Sequence, residues 1–141
     1  MCGSRASDGS LKIFPLPQSG ARPRRLIVDS KGIVWYSDYA RGKLGRLDPA
    51  TGGVREFASP GGPSSAPYGI AIGTDGRIWY DESGKDEIVA VDPTTERMQT
   101  VAIPTRGSVV RNMAVDSTRA RLWLALSGVQ RLGRIDLAPT P

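Results

Sequence analysis

Short apolar runs separated by Gly, Pro, Asp and Ser set the texture of this chain. LIVD (26–29), IAIG (70–73) and MAVD (113–116) each lead through a turn into a second run: IVWYSD (33–38), RIWYDE (77–82) and RLWLAL (121–126). A third run follows in each case, KLGRLD (43–48), EIVAVD (87–92) and RLGRID (131–136), and the first two sets continue into a fourth, VREFAS (54–59) and MQTVAI (98–103). Runs of this length bounded by turn formers read as β-strands. No segment holds an apolar period of about 3.6 long enough to predict a helix. The pattern predicts an all-β chain with strands over 25–29, 33–38, 43–48, 54–58, 69–73, 77–82, 87–92, 97–103, 112–116, 121–126 and 131–136.

The runs recur at a fixed interval. Trp35, Trp79 and Trp123 stand 44 residues apart, and so do Asp48, Asp92 and Asp136, and Leu44, Ile88 and Leu132. Pro23 and Pro67 keep the interval, with Arg111 at the third position, and the third repeat carries one extra residue in its turn, DSTRAR. Four-stranded units at this period are the signature of β-propeller blades, which stack face to face around a central channel. The reading divides the chain into a disordered tail (1–9), a stray outer strand (10–17), blade 1 (23–60), blade 2 (67–104), an incomplete blade 3 (110–137) and a tail (138–141). Each Trp is predicted to fill the space between blades, and each repeated Asp to sit in a turn. Closed propellers need about 4–8 blades. About three blades therefore predict either part of a larger propeller or an oligomeric ring in which two chains exchange ends.

Composition narrows the chemistry. The 141 residues suit one domain, and 19 basic against 14 acidic residues give a net charge of +5, a bias toward anionic partners. There is no histidine, which excludes Ser-His-Asp and Cys-His catalysis and histidine-ligated zinc. Cys2 is the only cysteine, so no internal disulfide forms and no compartment is indicated. No run approaches the ~18 apolar residues of a membrane span. The stretch RPRR (22–25) lacks the interleaved aromatics that stack bases, which argues against nucleic acid.

APYGIAIGTDGRIWYDE (66–82), KLGRLD (43–48) and RLGRID (131–136) resemble the blades of the streptogramin (virginiamycin) B lyase family, with its Pro-x-Gly-Ile opening, Asp-Gly turn, Ile-Trp-Phe/Tyr-x-Glu strand and Ile-Gly-Arg-Ile strand. KIFPLP (12–17) is similar to the family's outer strand ending in Leu-Pro, and the resemblance spans about residues 10–137. It implies a ring-opening elimination on a cyclic depsipeptide antibiotic, assisted by Mg²⁺ and by a histidine that follows the proline opening particular blades. Here Arg24 follows Pro23, Tyr68 follows Pro67, and the third blade has Val110-Arg111. No catalytic residue and no metal ligand is therefore assigned. The alternative is a non-catalytic propeller module that binds a polar or anionic small molecule, or a protein partner, at the channel mouth.

Propeller topology places the residues before each first strand and those after each second strand on one face, around that mouth. The expected rim comprises Arg24, Arg25, Asp38, Tyr68, Glu82, Arg111 and Asn112, a mixed set fit for a polar or anionic ligand. The plainer role of Asp38 and Glu82 is as solvated loop acids balanced by Arg41 and Lys85; the sharper one is a carboxylate pair holding a divalent cation.

Overall fold

All eleven strands predicted between residues 25 and 136 close into antiparallel ladders. The structure, a computed structural model, describes residues 9–137; the predicted C-terminal tail, Cys2 and all but one residue of the N-terminal tail lie outside that range. Blade 1 is a four-stranded sheet of β1 (Pro23–Val28), β2 (Val34–Asp38), β3 (Lys43–Leu47) and β4 (Val54–Ala58). Blade 2 repeats it with β5 (Pro67–Ile72), β6 (Ile78–Glu82), β7 (Glu87–Val91) and β8 (Met98–Ala102). Blade 3 has three strands, β9 (Val110–Asp116), β10 (Arg121–Leu126) and β11 (Arg131–Asp136), in the order β11-β10-β9. The fold is all-β, as expected.

Turn chemistry explains the strand ends. Asp48 Oδ1 accepts the Ala50 N–H at 2.9 Å, and Asp92 Oδ1 accepts that of Thr94 at 2.8 Å, so these two repeated aspartates build the turns after the third strands. Asp136 differs: it ends β11 and pairs with Arg134 at 3.0 Å.

The blades stack through two apolar layers. Trp35, Leu44, Ile70, Ile78 and Tyr80 form the layer between blades 1 and 2, and Trp79, Ile88, Met113, Leu122 and Leu124 the layer between blades 2 and 3. Trp35 and Trp79 are almost fully buried, as predicted, and each indole N–H donates to an aspartate in the preceding turn, Asp29 or Asp75. Trp123 departs from the prediction at 39% exposed. Its position in the repeat faces the next blade, and no described residue supplies one.

The predicted outer strand at 10–17 does not form: those residues carry no strand. A strand needs a ladder partner, and blade 1 already has its fourth strand in β4. The first strands also begin earlier than predicted, at Pro23, Pro67 and Val110, because pairing resumes beyond an irregularity that the apolar pattern does not reveal.

Candidate functional site

That irregularity builds the rim. In β1 the register with β2 breaks between Pro23 and Leu26, which pushes Arg24 and Arg25 out of the ladder. In β5 the break between Pro67 and Ile70 displaces Tyr68 and Gly69, and in blade 3 Asn112 and Val110 find partners in β10 while Arg111 does not. A β-bulge bends its strand and re-aims side chains. Arg24, Arg25, Tyr68 and Arg111 are thus the bulged residues of three successive inner strands.

The bulged amides are satisfied by the second strand. Asp81 Oδ1 accepts the N–H of Tyr68 at 2.9 Å and of Gly69 at 2.6 Å, and Ser37, one repeat earlier, accepts the Arg25 N–H at 3.2 Å. Ser37 also donates to the Tyr68 carbonyl at 2.7 Å, tying blade 1 to the bulge of blade 2. Gly69 is required here, since a Cβ would stand 2.9 Å from the Val110 carbonyl oxygen of the adjacent inner strand. Burial raises the Asp81 carboxyl from 3.8 to about 7, against its hydrogen bonds from Ser83, Tyr68 and Gly69.

Arg24, Tyr68 and Arg111 line one hollow of about 400 Å³ together with Tyr39, Ala66 and Ser83. The Arg24, Arg25 and Arg111 guanidinium carbons each lie 5.8 Å from the Tyr68 ring centroid, and Arg24 lies 4.8 Å from that of Tyr39. Tyr39 and Tyr68 meet edge to face at 5.9 Å. None of the three arginines has an ion-pair partner among the described residues. Two of these cations, Arg24 and Arg111, line the hollow with the aromatic pair and make it positive and partly apolar, while Arg25 stands beside Tyr68 outside the lining.

The acids behave otherwise than expected. Asp38 and Glu82 are fully buried, so the reading of both as solvated loop acids is overturned. Asp38 bonds the Arg41 Nε at 2.8 Å, the partner expected, and also accepts the backbone N–H groups of Arg22 and Arg41. Glu82 pairs not with Lys85 but with the Gly61 N–H, at 2.7 Å, and burial raises its pKa. Both carboxylates knit a rim loop to the sheet. They do not make a divalent-cation site: Asp38 is committed to Arg41 and to amides, and no group of three Asp, Glu, Cys or His among the described residues could hold a metal ion. The Mg²⁺ that the family resemblance implies finds no fitting donor set here. Asn112 is exposed and does not line the hollow.

Sequence reasoning missed Tyr39 and the anchoring role of Asp81. Tyr39 follows the end of β2 and has no aromatic counterpart one repeat on, where Ser83 stands. Asp81 was detectable, since Ser37 occupies the same position in blade 1 and the two residue types share only an ability to accept hydrogen bonds.

Stacked four-stranded antiparallel blades with bulged inner strands at a common rim define a β-propeller protein. The sequence profile of the virginiamycin B lyase family matches residues 2–140, and the chain belongs to that family. It is similar to a selenomethionine-substituted virginiamycin B lyase from Staphylococcus aureus, with 30% identity over 95% of this chain and 47% of that one, and a TM-score of 0.83. A streptogramin B lyase structure matches at 26% identity over 92% of this chain and 42% of that one, with a TM-score of 0.83. A catalytically inactive His-to-Ala variant of the S. aureus virginiamycin B lyase, solved with quinupristin, matches at 26% identity over 86% and 40% of the two chains, with a TM-score of 0.79. The chain therefore spans less than half the length of these solved relatives. No curated protein sequence matches it.

Proposed function

We propose that this chain is a binding member of the virginiamycin B lyase family, taking a polar or anionic small molecule with an aromatic group at the rim, without turnover. The observation that carries the reading is the crowding of Arg24, Arg25 and Arg111 around Tyr68 with no ion-pair partner among the described residues. Guanidinium groups left unpaired on a hollow are available for an anion, and the ring faces of Tyr39 and Tyr68 favour a flat group beside it. The family's chemistry asks more. An elimination needs a positioned base and a group that stabilises the developing charge, each typically contributing 10²–10⁴-fold. One relative is catalytically inactive after a single histidine-to-alanine change, and this chain has no histidine. Its rim acids are buried and bonded to amides and to Arg41.

The test has two arms on the purified chain. Phthalate, a flat dianion, is titrated by calorimetry into the native chain and into Arg111→Ala; saturable binding weakened by the substitution is expected, and no binding by the native chain overturns the reading. Quinupristin is then incubated with the chain and Mg²⁺, and mass spectrometry follows the linear product. Formation of that product above background would show that turnover had been wrongly denied.

A further inference from the structure

We propose that Asp81 is a proton switch for the rim: with its carboxyl neutral the hollow admits an anion, and with the carboxyl ionised the hollow resists one. The inference rests on the anion-binding reading given above and adds the regulation of that site.

The first observation is where the carboxyl sits. Asp81 is fully buried in β6 of blade 2. Its Oδ1 accepts the N–H groups of Tyr68 and Gly69, and its Oδ2 meets the Ser83 hydroxyl. Tyr68 and Ser83 both line the hollow. Gly69 in turn presses on the peptide that leads into Arg111, since a Cβ there would lie 2.9 Å from the Val110 carbonyl oxygen and 3.4 Å from the Arg111 carbonyl carbon. One hydrogen bond therefore separates the carboxyl from two residues of the lining, and one residue more separates it from the backbone of Arg111, a third.

The second observation is that nothing offsets its charge. On its own strand the neighbouring titratable groups are Tyr80 and Glu82, and β5 brings Tyr68. β7 sets Ile88 opposite Asp81 and Glu87 opposite Glu82, and β9 brings Arg111, whose guanidinium lies 5.8 Å from the Tyr68 ring. From β1, Arg24 and Arg25 also reach that ring. Asp81 forms an ion pair with none of these groups, whereas Asp38, buried in blade 1, holds the Arg41 Nε at 2.8 Å. A carboxyl deprived of both water and a counter-ion favours its neutral form. Burial accordingly raises Asp81 from 3.8 to about 7, and both forms are populated near neutral pH.

The third observation is that the bulge does not need an acid. One repeat earlier Ser37 fills the position with a hydroxyl, which accepts the Arg25 N–H at 3.2 Å, and one repeat later the residue is Ala125. What a carboxyl adds over a hydroxyl here is a charge that a proton can remove.

The coupling has a definite sign. A neutral carboxyl still accepts through one oxygen and donates through the other, so protonation leaves the hydrogen bonds in place and changes the potential of the hollow. Ionisation puts a negative charge behind an anion site, where the protein interior screens it far less than water would. Affinity for an anion should therefore be highest below about pH 7 and fall as the pH rises through that value. By reciprocity, a bound anion must raise the Asp81 pKa by the same free energy.

The probe is benzene-1,3-disulfonate, which is flat and keeps two charges at every pH used. Calorimetry on the native chain should show binding about tenfold weaker at pH 8.5 than at pH 5.5, a common size of coupling between two sites. In Asp81→Asn, which has no proton to lose, that ratio should fall to about one. Equal binding at the two pH values in the native chain overturns the switch and leaves the rim reading standing; no binding at either value overturns both. A pH dependence that survives in Asp81→Asn rejects Asp81 as the switch and passes the role to another group, Glu82 first, since burial raises its pKa as well. Should Asp81→Asn fail to fold, the native chain supplies a second measurement. Binding enthalpies in bis-tris and in Tris at pH 7.4 should differ by the amount that reports uptake of roughly half a proton per ligand. Binding without proton uptake rejects the switch.

Discussion

Asp81 Oδ1 accepts the backbone N–H of Tyr68 at 2.9 Å, so a buried carboxyl in β6 holds in place the aromatic residue around which the rim arginines gather. The same oxygen takes the Gly69 N–H, while Oδ2 meets Ser83. A neutral carboxyl keeps all of these bonds, because Oδ1 still accepts and a protonated Oδ2 can donate to the Ser83 hydroxyl.

From this follows a pH dependence. A carboxyl raised from 3.8 to about 7 in the folded chain contributes stability fully below its unfolded value and loses that contribution as pH rises through about 7. Urea unfolding should show the native chain losing stability relative to Asp81→Asn between pH 5 and pH 8, by on the order of 1–4 kcal/mol at about 1.4 kcal/mol per pKa unit. Parallel curves for the two proteins would show that Asp81 does not titrate in this range.

The two buried indoles and the exposed one should respond differently to truncation. Trp79 has a blade on each side, so Trp79→Ala should cost roughly 3–5 kcal/mol, the usual range for deleting a large core side chain, at every protein concentration. A loss under about 1 kcal/mol would contradict the layer described for Trp79. Trp123, 39% exposed, has less contact to lose, so Trp123→Ala should cost less than Trp79→Ala in the same unfolding measurement.

Glycine offers a paired comparison within the repeat. A Cβ on Gly45 would lie 1.9 Å from the Tyr36 ring, whereas on Gly133, the same position two repeats on, it would meet nothing nearer than Leu124 at 3.5 Å. Gly45→Ala should destabilise by about 1–3 kcal/mol through overpacking. Gly133→Ala should be close to neutral, and equal costs for the two would argue against the burial of Tyr36 over Gly45.

At the rim, Arg24→Ala and Arg111→Ala should each weaken phthalate binding about tenfold, the loss expected when one charge-assisted contact worth about 1.4 kcal/mol is removed. Raising the salt concentration should weaken binding to the native chain more than to either variant, because screening acts on the charges that remain. Calorimetry at two ionic strengths checks both statements.

The strands were legible because their signal is local: alternating apolar runs and Asp-Pro or Asp-Gly turns carry it within a few residues. Arg24, Tyr68 and Arg111 were legible for a different reason, since the repeat located the start of each inner strand. The burial of Asp38 and Glu82 was not. The Arg41 partner of Asp38 was legible three residues on, but not that the pair is buried, and the Gly61 N–H that meets Glu82 comes from the loop after blade 1, 21 residues away. Trp123 misled by its resemblance to Trp35 and Trp79: the repeat specifies the residue, but burial is conferred by the neighbouring blade. The segment 10–17 misled in the same way, having an outer strand's sequence and no edge of its own blade to join.

The bulges separate two kinds of inheritance in this chain. Positions in the ladders must match a partner across the blade gap, and the repeats hold them nearly constant: Trp at all three indole sites, Leu or Ile at 44, 88 and 132. At the bulges the amides of Arg25, Tyr68 and Gly69 are satisfied from the adjacent strand, and, Gly69 apart, which the Val110 carbonyl holds to glycine, the repeats diverge there to Arg-Arg, Tyr and Arg. Each blade therefore brings one replaceable letter to a word spelled around the channel, and a rim with a new preference can be written one letter at a time while the grammar of the sheet stays fixed.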